Sequence, residues 1–83
     1  MSFPDWIKQD NIKITLDARP LLAQGVHPLE LVQQQTAMLN PGEIFEIITP
    51  FPPTPMIEKM QAAGFNTHSG TADDGLFHTY FQR

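Results

Sequence analysis

Ile12-Lys13-Ile14-Thr15-Leu16-Asp17-Ala18-Arg19-Pro20 and, a few residues on, His27-Pro28-Leu29-Glu30 decide how this chain folds. The first segment alternates apolar and polar side chains with period two. That is the pattern of a strand with Ile12, Ile14 and Leu16 on one face. The second segment places Pro28 where a helix begins, at the first position, because a proline there loses no intrahelical N–H bond. His27 is then the residue just before the helix. Between the two, Ala18 to Val26 reads as loop, closed by Gly25. A strand ending at Asp17 and a helix opening at His27 form one crossover. It carries a carboxylate, a guanidinium and an imidazole.

The pattern extends outward from this crossover. Pro28, Leu31, Val32, Gln35, Met38 and Leu39 share one helical face, which predicts a helix to about Leu39. Asn40-Pro41-Gly42 stops it. Glu43 to Thr49 is a second strand with Phe45 and Ile47 on one face and Ile44 and Ile48 on the other. A strand apolar on both sides is central or has both faces covered. Pro50-Phe51-Pro52-Pro53 is a stiff connection. Thr54 is the expected N-cap of a second helix, with Pro55 as its first residue and Met56, Ile57, Met60 and Ala63 as its buried stripe. Gly64 ends this helix in the left-handed conformation, and Phe65 folds back on Met60. Phe65 to Thr71 is a third strand, Ala72-Asp73-Asp74-Gly75 a turn, and Leu76 to Phe81 an aromatic fourth strand.

The order β-α-β-α-β-β, with right-handed crossovers, makes the first three strands parallel and the last antiparallel. The fold class expected is α/β, an α+β two-layer sandwich: a four-stranded mixed sheet with two helices on one face. The other face stays partly open, with Ile44 or Phe45, and Phe77 or Tyr80, on it. Residues 1–11 form an N-terminal arm whose Phe3, Trp6 and Ile7 are expected to pack on the domain or on a second copy. Residues 12–83 form a single domain.

The composition narrows the function classes. There is no cysteine, which removes disulfides, thiolate nucleophiles and Cys-held metal clusters. Nine acids against five bases leave a net charge of −4, and the bases Lys8, Lys13, Arg19, Lys59 and Arg83 form no patch. Nucleic-acid binding needs phosphate neutralisation and is not expected. No apolar run reaches the roughly 20 residues of a membrane span, and the N-terminus lacks the layout of a signal peptide, so the expected compartment is the cytoplasm.

With Leu16-Asp17-Ala18-Arg19 ending the first strand and Asn40-Pro41-Gly42-Glu43 leading into the second, the chain resembles the TusA/SirA-like small bacterial domains. In sulfur-relay members a Cys-Pro-x-Pro motif opens the first helix and its cysteine carries persulfide sulfur. Here His27 stands at the cysteine position, Pro28 matches the first proline, and Glu30 stands in place of the second. Imidazole forms no persulfide, so sulfur carriage does not transfer. The chain more closely resembles an uncharacterised branch that lacks the cysteine, has a His-Pro-Leu helix start, and has a Pro-Gly-Glu turn before the second strand. That branch often carries an Asn-Asp-His-Asp-Pro type segment after the second strand, where this chain has Thr49-Pro50-Phe51-Pro52-Pro53. The resemblance covers about Ile12 to Phe81.

In a β-α-β-α-β arrangement, the ends of the parallel strands and the starts of the following helices share an edge where ligands bind. Asp17, Arg19, His27, Thr49 and Phe51 belong to that edge and are the candidate binding residues. The alternatives are structural: Asp17 and Arg19 pair to pin the loop, and His27 only caps a helix. His27, His68 and His78 are the metal candidates. His68 and His78 flank the last turn on paired strands, and their common face depends on the register of that turn. No catalytic residue is assigned, no cofactor is expected, and an enzyme is disfavoured, since no nucleophile motif or phosphate loop is present. The function expected is a small binding or interaction module. Its partner is a protein or a second copy meeting the open sheet face, or a small anion at the Arg19–His27 edge. A metal- or redox-linked accessory domain using His27 with His68 or His78 is one alternative. A degenerate docking partner of the sulfur relay is another.

Overall fold

β2 (Ile44–Thr49) is the strand on which the sheet is built. Ile44, Phe45 and Ile47 are fully buried, so the strand is covered on both faces, as its two-sided apolar pattern requires. It pairs in parallel with β1 (Ile12–Asp17) and antiparallel with β4 (Phe77–Gln82). β3 (Asn66–Thr71) pairs with the other side of β4, giving the order β1-β2-β4-β3. The computed structural model describes residues 4–83, so the expectation for Phe3 falls outside the described residues. The first three strands do run in one direction, but β4 is inserted between β2 and β3.

The expected fold class holds: an α+β two-layer arrangement of a four-stranded mixed sheet with helices. The helices differ from expectation in three places. Ala18 to Val26 is not all loop, because α1 (Arg19–Ala23) forms within it. Pro20 lies in its first turn, where a missing N–H costs nothing. The Leu22 N–H donates to the Ala18 carbonyl at 2.9 Å. Gly25, at φ 77°, then closes the helix. Its N–H donates to the Leu22 carbonyl at 3.0 Å and that of Val26 to Leu21 at 2.9 Å, the paired bonds of a Schellman motif.

α2 (Leu29–Thr36) starts one residue later than expected, with Pro28 rather than His27 as its cap, and ends before Leu39. After Thr36 the chain tightens: the N–H groups of Met38 and Leu39 donate to carbonyls three residues back, Gln35 and Thr36. This rotates the following side chains relative to a continued α-helix. Leu39 stays buried, but Met38 swings out to 67% exposure, leaving the stripe in which its spacing had placed it. α3 (Thr54–Ala62) begins at Thr54 itself, with Pro53 as the cap in place of Thr54. It ends as expected. Gly64 has φ 93°, and the Phe65 N–H donates to the Met60 carbonyl at 3.1 Å.

Register assigns the faces. Phe45, Ile47 and Phe81 point to the helices and form the core with Val32, Met56 and Met60. Glu46 opposes Tyr80 and Thr15, and Ile48 opposes His78 and Asp17, so these side chains share the face away from the helices. Ile44 and Tyr80 are thus the members of the two expected pairs that lie there, while Phe45 and Phe77 face the helices. The lead-in contains a short 3₁₀ turn, Gln9–Asn11, and Trp6 and Ile7 are half-buried.

Candidate functional site

The strand-end edge holds two arrangements, one on each side of the sheet. On the helix side, an apolar cavity of about 270 Å³ opens between the start of α2, the end of β2 and the start of α3. His27, Thr49 and Phe51 line it together with Leu22, Pro28 and Met56. Local chemistry explains its shape. The crossover delivers His27 and Pro28 to its rim. The Thr49 hydroxyl donates to the Phe51 carbonyl at 2.6 Å, which satisfies a buried polar group and bends the chain after β2. The prolines that follow hold that bend stiffly, and Phe51 remains 48% exposed at the mouth. Three of the five expected site residues therefore meet here.

The other two, Asp17 and Arg19, satisfy each other. Arg19 donates from Nη2 to Asp17 Oδ2 at 2.6 Å and from Nε to Oδ1 at 3.0 Å, and its backbone N–H also reaches Oδ1 at 3.1 Å. The hydrogen bonds from Arg19 hold the Asp17 pKa down to about 2. The guanidinium is thus largely occupied and offers less to an outside anion than its place at the edge implied.

On the far side of the sheet is a cluster that the edge argument did not contain. Glu46, in the middle of β2, accepts a hydrogen bond from the Thr15 hydroxyl at 3.0 Å through Oε1. Its Oε2 lies 2.9 Å from His78 Nδ1. The other imidazole nitrogen, Nε2, lies 3.2 Å from Asp74 Oδ2. Asp74 Oδ1 accepts the Leu76 N–H at 2.8 Å. Both ring nitrogens face carboxylate oxygens, and only the imidazolium form donates to both. Burial acts to lower the His78 pKa, but Glu46 and Asp74 outweigh it and the net shift is upward. Burial, followed by the nearby Glu46, pushes the Tyr80 hydroxyl up to about 12. His68 stacks on Tyr80 with ring centroids 6.4 Å apart.

The three histidines do not converge. His27 lines the helix-side cavity, and His78 is held between two carboxylates on the opposite face. His68 and His78 share that face, two positions out of register: His78 opposes Gly70, and His68 opposes Tyr80. Among the described residues, no group of three or more His, Asp or Glu side chains is arranged to hold a metal ion. Glu46 and Asp74 were missed because their meeting with His78 depends on cross-strand register. The one local signal was Glu46 itself, a carboxylate inside an apolar strand.

No helix among the described residues is long and apolar enough to cross a membrane. Neither the curated proteins nor the solved structures contain a match to the chain. A family model, described as uncharacterized conserved protein DUF2249, matches residues 15–83. That span runs from β1 to the last residue and takes in both arrangements at the strand-end edge, and the chain belongs to the DUF2249 family.

Proposed function

We propose that this chain is a small non-catalytic binding module that seats an apolar side chain of a partner protein in the cavity between β2, α2 and α3. One observation carries the reading: an apolar hollow of about 270 Å³ stands open at the strand-end edge, with a half-exposed phenylalanine at its mouth. Small-group sites are concave, mostly apolar and placed at such edges. Val26, another of the large apolar side chains exposed among the described residues, directly precedes His27 in the chain. The far sheet face carries the Glu46–His78 cluster, so the exposed apolar surface favours the edge over the sheet as the contact.

Indole and isobutanol mimic Trp and Leu side chains and serve as probes. Amide shifts on titration should be confined to residues around the cavity, such as Leu22, Thr49 and Phe51. Phe51→Ala should weaken the response at least about threefold, in keeping with the loss of an aromatic wall. Absence of a response to either probe refutes the reading. Kinship with sulfur-carrier domains belongs to the same proposal. Its support is the β-α-α-β-α-β-β order, which keeps a helical crossover between each pair of successive parallel strands, and Pro28 at the start of α2. In that reading the chain docks to relay partners without carrying sulfur, because His27 occupies the place of the thiol.

A further inference from the structure

We propose that Glu46, His78 and Asp74 form a proton-operated tether that fastens the β3–β4 turn to β2 and releases it, on the Asp74 side, when the imidazole becomes neutral. The geometry carries this inference. The turn Ala72–Gly75 contributes Asp74, whose two oxygens are divided between the Leu76 N–H at 2.8 Å and His78 Nε2 at 3.2 Å. The central strand contributes Glu46, whose two oxygens are divided between Thr15 and His78 Nδ1. One imidazolium therefore bridges an inner strand and an outer turn, and each carboxylate oxygen is engaged.

Loss of one proton breaks the symmetry. A neutral ring has a single N–H, and the other nitrogen then turns a lone pair towards a carboxylate oxygen. Glu46 is the partner that keeps the proton. Its contact is shorter, 2.9 Å against 3.2 Å, and its side chain is 14% exposed against 49% for Asp74. A largely enclosed carboxylate that loses its one charged donor is destabilised more than Asp74, which can turn into water. The tether thus opens outward.

The other groups around the imidazole support the same order of events. On β2 and β1, Glu46 and Thr15 hold the inner side. On β4 itself, Tyr80 bonds to Glu46 and stays protonated well past neutrality. On β3, His68 stacks on Tyr80. Arg19, paired with Asp17 at the start of α1, also attracts Asp74 through space. Its charge is constant across the range in which histidine titrates, so it adds no pH dependence of its own. The tether is independent of what fills the cavity, because it lies on the opposite face of the sheet.

The test is NMR on the full chain. The His78 ring shifts give its titration, and the amides of Ala72, Gly75 and Leu76 report the turn. The N–H of Ala72 donates to the Leu76 carbonyl and that of Gly75 to Ala72, so both sense closure of the turn. His78 should titrate above 6.5. Through that transition, protection of the three amides, corrected for intrinsic exchange, should fall roughly two- to fivefold, the worth of a partly exposed ion pair. Asp74→Asn, a change at an exposed site, should abolish the pH dependence of the turn while the Glu46–His78 contact persists. Glu46→Gln should lower the His78 titration and open the turn at lower pH. Protection that stays flat through the His78 transition, or a His78 that titrates below 6.5, overturns the proposal.

Discussion

Arg19 spends its guanidinium on Asp17, two residues away, in a bidentate pair at the surface. Both side chains are substantially exposed, at 53% and 39%, so water screens the pair and its depressed carboxyl pKa does not translate into much stability. Arg19→Ala should lower the melting temperature only slightly, and the deficit should vanish in about 1 M salt, where the screening length shrinks to about 3 Å. Melting curves at low and high salt check this. A large, salt-independent loss would mean that the pair holds the β1–α1 junction by packing instead. This pairing was legible from sequence as the structural alternative for two neighbours. His78 was legible only as a histidine on a strand. What sets its chemistry is Glu46, which lies far away in sequence, and the cross-strand bonds of β2 and β4 bring them together.

At the scale of elements, α3 owes its sharp end to Gly64, whose φ of 93° lies where a side chain is strained. No atom stands within 4 Å of a Cβ added there, so the cost of Gly64→Ala is purely conformational. It should amount to roughly 1–2 kcal/mol, and Gly64→Asn to less, since asparagine tolerates this region. Urea denaturation of the two variants measures the difference. This helix end was readable because glycine followed by an apolar residue is a strong local signal. α1 was not readable for the opposite reason. Pro20 and Gly25 punctuate a segment only a few residues long, and punctuation that dense looks like loop even when it encloses one turn of helix. The strands were legible wherever one face was apolar, as in β1. β3, with Asn66, Thr67, His68, Ser69, Gly70 and Thr71, offered little pattern, and its place at the sheet edge accounts for that.

For the whole molecule, the titrating groups predict a plateau of stability. His78 has a raised pKa, so its contribution is complete below its ordinary 6.5 and is lost as pH rises through the folded value. Tyr80 acts with the same sign further up, from 10.0 to about 12. Asp17 and Asp74 have lowered values, so their contributions are complete above 3.8 and are lost as pH falls below it. Stability should therefore be greatest between roughly pH 4 and 6.5. Chemical denaturation across that range and up to about pH 9 measures it, and in His78→Gln the decline on the alkaline side should flatten. The strand order has a different consequence, for the chain as it leaves the ribosome. Of the four strands of this sheet, β4 is made after the other three, yet it sits between β2 and β3. Until Phe77–Gln82 emerges, β2 has a bare edge running along its most apolar side chains, and β3 has no neighbour. The nascent domain cannot close progressively from its N-terminus. It must carry an open, adhesive sheet until β4 seals it.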